Sequence, residues 1–218
     1  MELDHIFICT TQDAPAAEAI INAIGLIEGS SNRHLGQGTV NKRFFFHNFM
    51  LELLWVETTE ELERETTKPI GLKERFTALS DAKISPFGLI FRPSVSNQCP
   101  FQFRSYHPDY LPAELDMKVA SQSPLCEPSY VFIDFIKQTP VRAIKEPILH
   151  PAGIEQLTSA TITVDGEQPL SKVAEVINLS EGVTVESGPT HVLELCFDNC
   201  RQKRHADLRP HLPLTINW

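Results

Sequence analysis

The sequence predicts an α+β fold built from repeated βαβββ units. Residues 3–56 give a strand, a helix and further strands in that order, and residues 157–218 repeat the pattern. The stretch LELLW at 51–55 is echoed by LELCF at 193–197. Similar elements in the same order, with a similar strand in each, indicate a duplicated module, and a third, degenerate copy at 85–136 is an open alternative.

The first unit opens with a strand and a helix. Branched and aromatic residues in LDHIFICT, at 3–10, are typical of a strand. Apolar residues at helical spacing predict a helix over 14–27. Asp13 is expected to cap the N-terminus of this helix and Gly25 its C-terminus.

Two more strands complete the first unit. The stretches RFFFHNF, at 43–49, and FMLELLWV, at 49–56, are rich in aromatic and branched residues. His47 and Asn48 lie at their junction, which predicts a tight hairpin. A glycine-bearing loop, RHLGQGTVNKR, precedes these strands.

The remaining segments are predicted from the same signals. Residues 57–81 are charged and predicted to be helical, with a break near Pro69, Ile70 and Gly71. The other predicted segments are strands at 85–94 and 130–136, an aperiodic proline-rich stretch at 98–128, a linker at 137–153, a strand at 157–164, a helix at 169–179, and strands at 182–188, 191–199 and 212–218. The predicted regions are a first βαβββ module at 1–56, a charged helical connection at 57–84, a variant middle module with its linker at 85–153, and a C-terminal βαβββ-like module at 154–218.

The composition and charge of the chain indicate which kinds of binding partner and which compartment to expect. The chain is 42% hydrophobic and 22% charged, near the average of soluble globular domains. Its net charge of −9 argues against a nucleic-acid surface, and no apolar run approaches the length of a membrane span. The five cysteines, Cys196 and Cys200 among them, form no CxxC pair and are interpreted as reduced thiols. With no signal-like N-terminus, these observations predict a cytoplasmic protein.

Two polar side chains interrupt apolar strands. In 49–56 both faces of the predicted strand are apolar, so Glu52 is expected in apolar surroundings. Burying a lone carboxylate costs several kcal/mol, so the group must be paired, protonated or bound to a metal. His5 raises the same question in the first strand, where it shares a face with Leu3 and Phe7. An imidazole and a carboxylate together suit a divalent metal, whereas a hydrogen-bonded core histidine and a glutamate at a frayed strand end are the alternatives.

The chain resembles the glyoxalase-like proteins of the vicinal oxygen chelate superfamily. The residues that carry the resemblance are the opening L-D-H strand, the loop H-x-G-x-G-T-x-N at 34–41, and the strand LELL at 51–54. The later stretches SPFGLIFRP, YVFIDF and HPAGIEQLTSATITV fit the running order of the same group. The resemblance implies βαβββ modules that curl into half-open barrels around a metal site.

The resemblance also implies metal ligands on the first and last strands of each module. Carried over to this chain, these are His5 and Glu52, with Asp134 in YVFIDFI as a third ligand. Glu194 is the alternative third ligand if the C-terminal unit is the partner module. The implied cofactor is therefore a divalent ion such as zinc, nickel, manganese or iron, unless the site has lost its metal.

The glycine-bearing loop is the candidate substrate contact. Gly38 permits close backbone approach, and Thr39 and Asn41 offer neutral hydrogen-bonding groups. His34 is a candidate acid–base group or a surface residue. A tight connection between strands explains the same residues without a substrate.

Two main functions follow from the resemblance. The first is a metal-dependent lyase or isomerase, less readily a dioxygenase, in which a divalent ion chelates a small oxygen-bearing molecule and Glu52 acts as a metal ligand or base. The second is a metal-free binding protein of the resistance type on the same fold. A structural dimerisation unit is a distant third, and sheet edges in this fold allow a homodimer.

Overall fold

Residues 1–56 form one half of a curled eight-stranded sheet. In this computed structural model the described residues are 1–79, 81, 83–136, 145–209 and 211–218. The elements of the first half are β1 (Glu2–Cys9), α1 (Ala16–Ile24), β2 (Arg33–His34), β3 (Thr39–Phe45) and β4 (Met50–Val56). The predicted hairpin between the last two is confirmed, since Phe46 N–H donates to Phe49 O at 2.8 Å.

Residues 87–132 supply the other half of the same sheet. Between the halves lie α2 (Thr59–Leu62), a 3₁₀ turn (Lys68–Ile70) and α3 (Leu72–Thr77), and the second half contains β5 (Phe87–Arg92), β6 (Phe103–Tyr106), β7 (Met117–Ala120) and β8 (Ser129–Phe132). The strand order is β2-β3-β4-β1-β5-β8-β7-β6, so the two halves mirror each other about the β1–β5 pair. The middle of the chain is thus the partner of the first unit within one sheet.

The C-terminal third forms a separate five-stranded sheet. Its elements are β9 (Leu157–Asp165), α4 (Lys172–Ile177), β10 (Val183–Gly188), β11 (Val192–Phe197), β12 (His205–Asp207) and β13 (Leu214–Asn217), with the strand order β10-β9-β11-β13-β12. Here β9 pairs in parallel with the next strand, β10, whereas β1 pairs in parallel with the last strand of its unit, β4. The C-terminal sheet therefore does not reproduce the strand order of the first half.

Strand alternation divides the eight-stranded sheet into two apolar faces. Ile6, Leu51 and Phe91 lie on the convex face, in the larger core that also contains α1 and the inner face of the C-terminal sheet. Phe7 and Leu54 lie on the concave face, in a smaller cluster closed at one end by the segment that contains α2 and α3. Both faces of the central strands are buried, as the two-sided apolar pattern of 49–56 predicts. The α+β prediction with a curled half-barrel is confirmed.

Three local predictions differ from the structure. The helix begins at Ala16 rather than residue 14, because Asp13 and Ala14 have positive φ angles and form a turn instead of a cap. The aperiodic stretch at 98–128 contains two strands, β6 and β7, that are too short to show a period. Cys196 and Cys200 form a disulfide, so the interpretation as reduced thiols is wrong for this pair. The turn after β11 brings their Cα atoms to 5.9 Å, within the range that a disulfide spans.

In the described part of the chain, no helix has the length and apolar character needed to cross a membrane.

Candidate active site

A cavity of about 260 Å³ opens on the concave face of the eight-stranded sheet. Its wall is mainly apolar, with Phe7, Leu54, Ile90 and Val131 from the four central strands. Its polar side chains come largely from the first half of the sheet, from the end of β6 and from the loop that follows β6: His5, His34, Gln37, Asn41, Arg43, Glu52, Tyr106 and Tyr110. The cavity therefore combines an apolar wall with a small group of polar side chains, which is the usual composition of a small-molecule site.

Glu52 lies on β4 with its side chain turned into this cavity and is only 4% exposed. Asn41, on the neighbouring strand β3 and two residues from the position opposite Glu52, donates from Nδ2 to Glu52 Oε1 at 2.6 Å. The Asn41 amide is itself oriented, because its Oδ1 accepts from the backbone N–H of Asn32 at 2.6 Å. One carboxylate oxygen is thus held in place by a neutral donor, and the other is left for a ligand or a cation.

His5 reaches the same cavity from β1, which lies beside β4. A register shift against β5 between Leu3 and His5 makes Asp4 a bulged residue, so that its side chain lies next to the imidazole. His5 Nδ1 is 2.7 Å from Asp4 Oδ2, and Arg92 Nη1 donates to the other Asp4 oxygen at 2.8 Å. A carboxylate on Nδ1 fixes the ring so that Nε2 presents its lone pair to the cavity, an arrangement common behind metal-binding histidines.

His34 enters from the end of β2 and packs against the ring of Tyr110, with 5.0 Å between ring centroids. Its Nδ1 lies 3.0 Å from the hydroxyl of Thr39, whose oxygen also accepts from Gln37 Nε2 at 2.8 Å. Burial lowers the pKa of His34, an effect that the nearby carboxylate of Glu52 opposes. The imidazole is therefore neutral at neutral pH.

The two imidazoles converge on one carboxylate. His5 Nε2 is 3.8 Å from Glu52 Oε2, and His34 Nε2 is 4.0 Å from Glu52 Oε1. Both distances exceed a hydrogen bond, so the three groups face each other across a gap. Ligands of one tetrahedral ion stand about 3.4 Å apart, as follows from bond lengths of about 2.1 Å. The present gap is slightly wider, and no three His, Cys, Asp or Glu side chains of the described residues are arranged to hold a metal ion.

No protein-family model and no curated protein matches the chain. Among solved structures, a hypothetical protein from Staphylococcus aureus superposes over 99% of this chain and 98% of its own, with a TM-score of 0.54 at 12% sequence identity. In this chain the eight-stranded sheet consists of two mirrored four-stranded halves, which meet at their first strands. At this identity the likeness shows a shared fold.

Two further solved structures are similar over part of their length. Methylmalonyl-CoA epimerase from Mycobacterium tuberculosis matches 65% of this chain and 91% of its own, with 11% identity and a TM-score of 0.38. A triple mutant of 4-hydroxymandelate synthase from Streptomyces coelicolor matches 93% of this chain and 73% of its own, with 10% identity and a TM-score of 0.48. At such identities the likeness is one of fold.

The fold brings together only part of the residue set expected from sequence. His5, His34, Asn41 and Glu52 all line the cavity. Asp134 does not line it, because its neighbours Ile133 and Phe135 take the inward positions, and its carboxylate accepts a hydrogen bond from Lys118. Glu194, the alternative ligand, is exposed on β11 of the other sheet.

Gly38 and Thr39 lie behind the cavity rather than in its wall. A Cβ on Gly38 would meet the carbonyl oxygen of Thr58 at 2.3 Å, so the glycine is required by backbone packing. Thr39 is 1% exposed and bonds to His34 and Gln37. Both residues therefore act on the site through the position of their neighbours.

Sequence reasoning missed several members of the site. Asp4 stood beside His5 in LDHIFIC, and this adjacency was the available signal for a carboxylate that orients an imidazole. Gln37 was an unspecified position of the loop motif. Tyr106 and Tyr110 came from the aperiodic stretch, where no pattern indicated which side chains turn inward.

Proposed function

We propose that this protein is an enzyme that binds a small, mainly apolar molecule bearing oxygen atoms and catalyses proton transfer on it, as an isomerase or a lyase. The observation that carries the proposal is the buried Glu52 carboxylate, hydrogen-bonded by Asn41 at 2.6 Å and faced by His5 and His34 at 3.8 and 4.0 Å. A carboxylate in a largely apolar cavity beside two imidazoles is suited to general acid–base chemistry.

The position of each residue in the cavity indicates its task in the proposed reaction. The apolar wall, which includes Phe7 and Ile90, excludes water from the substrate and strengthens every polar contact inside the cavity. Asn41 holds one oxygen of Glu52, so the other can accept a proton from a bound molecule without rotation of the carboxylate. Proton acceptance at this oxygen and hydrogen bonding to the developing oxyanion are the two tasks that the site must perform.

His5 and Glu52 are the residues that we propose would hold a divalent ion. Their nitrogen and oxygen donors suit zinc, nickel, manganese or iron, and Asp4 orients His5 from behind as such sites require. A bound ion would supply Lewis-acid polarisation of a substrate oxygen. Asp134 is left out of this proposal, because its side chain is turned away from the cavity.

A metal-free binding protein is the second candidate. The specific observation in its favour is the wall of the cavity, which is apolar apart from the polar group at one side. Shape and hydrophobic contact alone can hold an apolar ligand in such a cavity. Metal content and turnover separate this candidate from the enzyme.

The deciding experiment compares Glu52→Gln with Asp134→Asn. Both variants neutralise one carboxylate, but only Glu52 lines the cavity. Metal content is measured after purification without chelators or a histidine tag, and Zn²⁺, Ni²⁺ and Mn²⁺ are titrated by calorimetry. Small carbonyl compounds are then incubated with each protein in D₂O, and deuterium incorporation is followed by NMR.

We expect Asp134→Asn to match the wild type, and Glu52→Gln to lose metal affinity by at least tenfold and proton exchange by about 10²–10⁴-fold. Unchanged thermal stability in both variants would show that the fold is intact. Equal metal content and equal exchange in the wild type and Glu52→Gln would overturn the proposal. Ligand retention without metal or exchange would favour the binding protein.

A further inference from the structure

A chain of hydrogen bonds runs along one side of the cavity and ends at His34. The hydroxyls of Tyr106 and Tyr110 lie 2.9 and 3.3 Å from Gln37 Oε1. On the other side of the same amide, Gln37 Nε2 lies 2.8 Å from Thr39 Oγ1. Thr39 Oγ1 in turn lies 3.0 Å from His34 Nδ1. The chain therefore has three steps, from the tyrosines to Gln37, from Gln37 to Thr39 and from Thr39 to His34, and the donor in each step determines the donor in the next.

The tyrosines set the direction of the first link. Burial raises the pKa of Tyr106 and of Tyr110 well above the usual range of a phenol, so both hydroxyls keep their protons. Among the described residues, Gln37 Oε1 is the acceptor offered to the Tyr110 hydroxyl. The amide oxygen of Gln37 therefore faces the tyrosines, because in this orientation it accepts from both hydroxyls, and the reverse orientation would lose both hydrogen bonds.

The orientation of the Gln37 amide determines which way the Thr39 hydroxyl donates. With the oxygen of Gln37 on the tyrosine side, its NH₂ group donates to Thr39 Oγ1. The Thr39 hydroxyl is 1% exposed, and its remaining neighbour among the described residues is His34 Nδ1. The single hydroxyl proton must therefore point at Nδ1, which then accepts and carries no proton itself.

We infer that Gln37 and Thr39 are positioning residues that hold neutral His34 with its proton on Nε2, directed into the cavity. In its neutral form His5 has the opposite tautomer, because its Nδ1–H donates to Asp4 and the lone pair is then on Nε2. The two imidazoles that face Glu52 are thus a hydrogen-bond donor and a hydrogen-bond acceptor.

The assignment gives each histidine a different partner. His34 Nε2–H donates to an oxygen of the bound molecule and stabilises negative charge that develops there, whereas His5 Nε2 is free to bind a cation. The preferred substrate is then a carbonyl compound that can form an enolate beside Glu52. This role toward substrate rests on the proposed function, but the tautomer of His34 does not.

The tautomer is measured directly by two-bond ¹H–¹⁵N correlation NMR on protein labelled at histidine nitrogens. The protein is treated with chelator, free of substrate and held at mildly alkaline pH. A His34→Gln variant identifies the His34 signals among those of the eight histidines. We expect His34 Nδ1 at the chemical shift of an unprotonated nitrogen and Nε2 at that of a protonated one. The reverse pattern would overturn the inference.

The substitution Gln37→Glu tests whether the amide sets the direction. An ionised carboxylate in place of the Gln37 amide only accepts, so the Thr39 hydroxyl must donate to it and then accept from His34 Nδ1–H. The expected result is a protonated Nδ1 in Gln37→Glu, and an unprotonated Nδ1 in that variant would contradict the relay.

Thr39→Ser is the matched control for that variant. It keeps the hydroxyl, so it should leave the wild-type pattern of His34 signals unchanged. Loss of that pattern in Thr39→Ser, in a protein that circular dichroism shows to be folded, would also count against the relay.

The two proposals fail independently. The tautomer is read without metal or substrate, whereas the proposed function is tested by metal content and proton exchange in Glu52→Gln. A wild-type protein with the expected tautomer but no exchange would retain the relay and lose the enzyme. The opposite tautomer with normal exchange would retain the enzyme and lose the relay.

Discussion

The two halves of the eight-stranded sheet share a strand order but differ in chemistry. The first half presents His5, His34, Asn41 and Glu52 to the cavity. At the concave positions of its central strands, the second half presents mainly apolar side chains, among them Ile90 and Val131. One half therefore carries the reactive groups, and the other supplies a wall that keeps water away from them.

The second half also supports the first from behind. Arg92, on β5, donates to Asp4 at 2.8 Å, and Asp4 orients His5. The hydroxyls of Tyr106 and Tyr110 approach Gln37 in the loop between β2 and β3. The comparison teaches that a sheet with two mirrored halves can place its reactive groups in one half and use the other half to hold them in position.

The largest expected effect comes from removing Arg92, which joins the two halves. Asp4 is fully buried, and Arg92→Met would leave its carboxylate without this cationic partner. We expect a loss of about 3–5 kcal/mol in the free energy of unfolding, because removing one partner of a buried ion pair is costly. Urea denaturation measures this loss.

Lys118→Met is the control for that variant. Lys118 also pairs with a carboxylate, that of Asp134, but the latter is one-third exposed. The loss here should stay below about 1 kcal/mol, as is usual for exposed ion pairs. Equal losses in the two variants would show that the junction between the halves has no special role.

A medium effect is expected at Gly88, a position on β5 of the second half that has no side chain. A Cβ at this position would meet ring atoms of Phe7 at 2.1 Å, so the ring lies directly over the glycine. Gly88→Ala should cost about 1–3 kcal/mol through overpacking. Adding Phe7→Leu should recover part of this cost, which a double-mutant cycle measures. Additive losses in the cycle would mean that the two residues are not in contact.

The smallest effect is a pH dependence that lies outside the cavity. His150 Nδ1 accepts from the backbone N–H of Ile27, and its Nε2 donates to Phe45 O. Burial lowers the pKa of His150 below its ordinary value of 6.5. The unfolded chain therefore takes up the proton first, so stability falls as the pH drops through about 6.5 towards the folded pKa.

His150→Gln should reduce this acid sensitivity. Thermal melts of both proteins across that pH range make the comparison, with His34 expected to contribute in the same direction because its pKa is also lowered by burial. An unchanged pH slope in His150→Gln would remove His150 from the account.

Much of the fold could be predicted from sequence because strand periodicity records burial. The alternation in 49–56 placed Glu52 on the face opposite Leu51 and Leu53, and the structure has it so. The repeat was harder to interpret. LELCF at 193–197 is similar in sequence to LELLW but lies in the other sheet, since short apolar strands resemble one another whatever their topology.

The site could be predicted only where a polar residue interrupted an apolar strand. His5 and Glu52 stood out for that reason, whereas Gln37 and Tyr110 lay in segments without a period. Asp134 also interrupts an apolar stretch, but it lies beyond the end of β8, which is at Phe132. The sequence contains no signal for the hydrogen bonds that assign a proton to one nitrogen of an imidazole.

The shared core on the convex face has a consequence for how the protein unfolds. Phe46 and Phe49, which flank the turn before β4, pack against Phe197 of the C-terminal sheet, with ring centroids 4.4 and 6.3 Å apart. Loosening the C-terminal sheet therefore exposes the reverse side of the strand that carries Glu52. Denaturation should be cooperative across both sheets, and the reactive carboxylate should lose its geometry as soon as the distant sheet detaches.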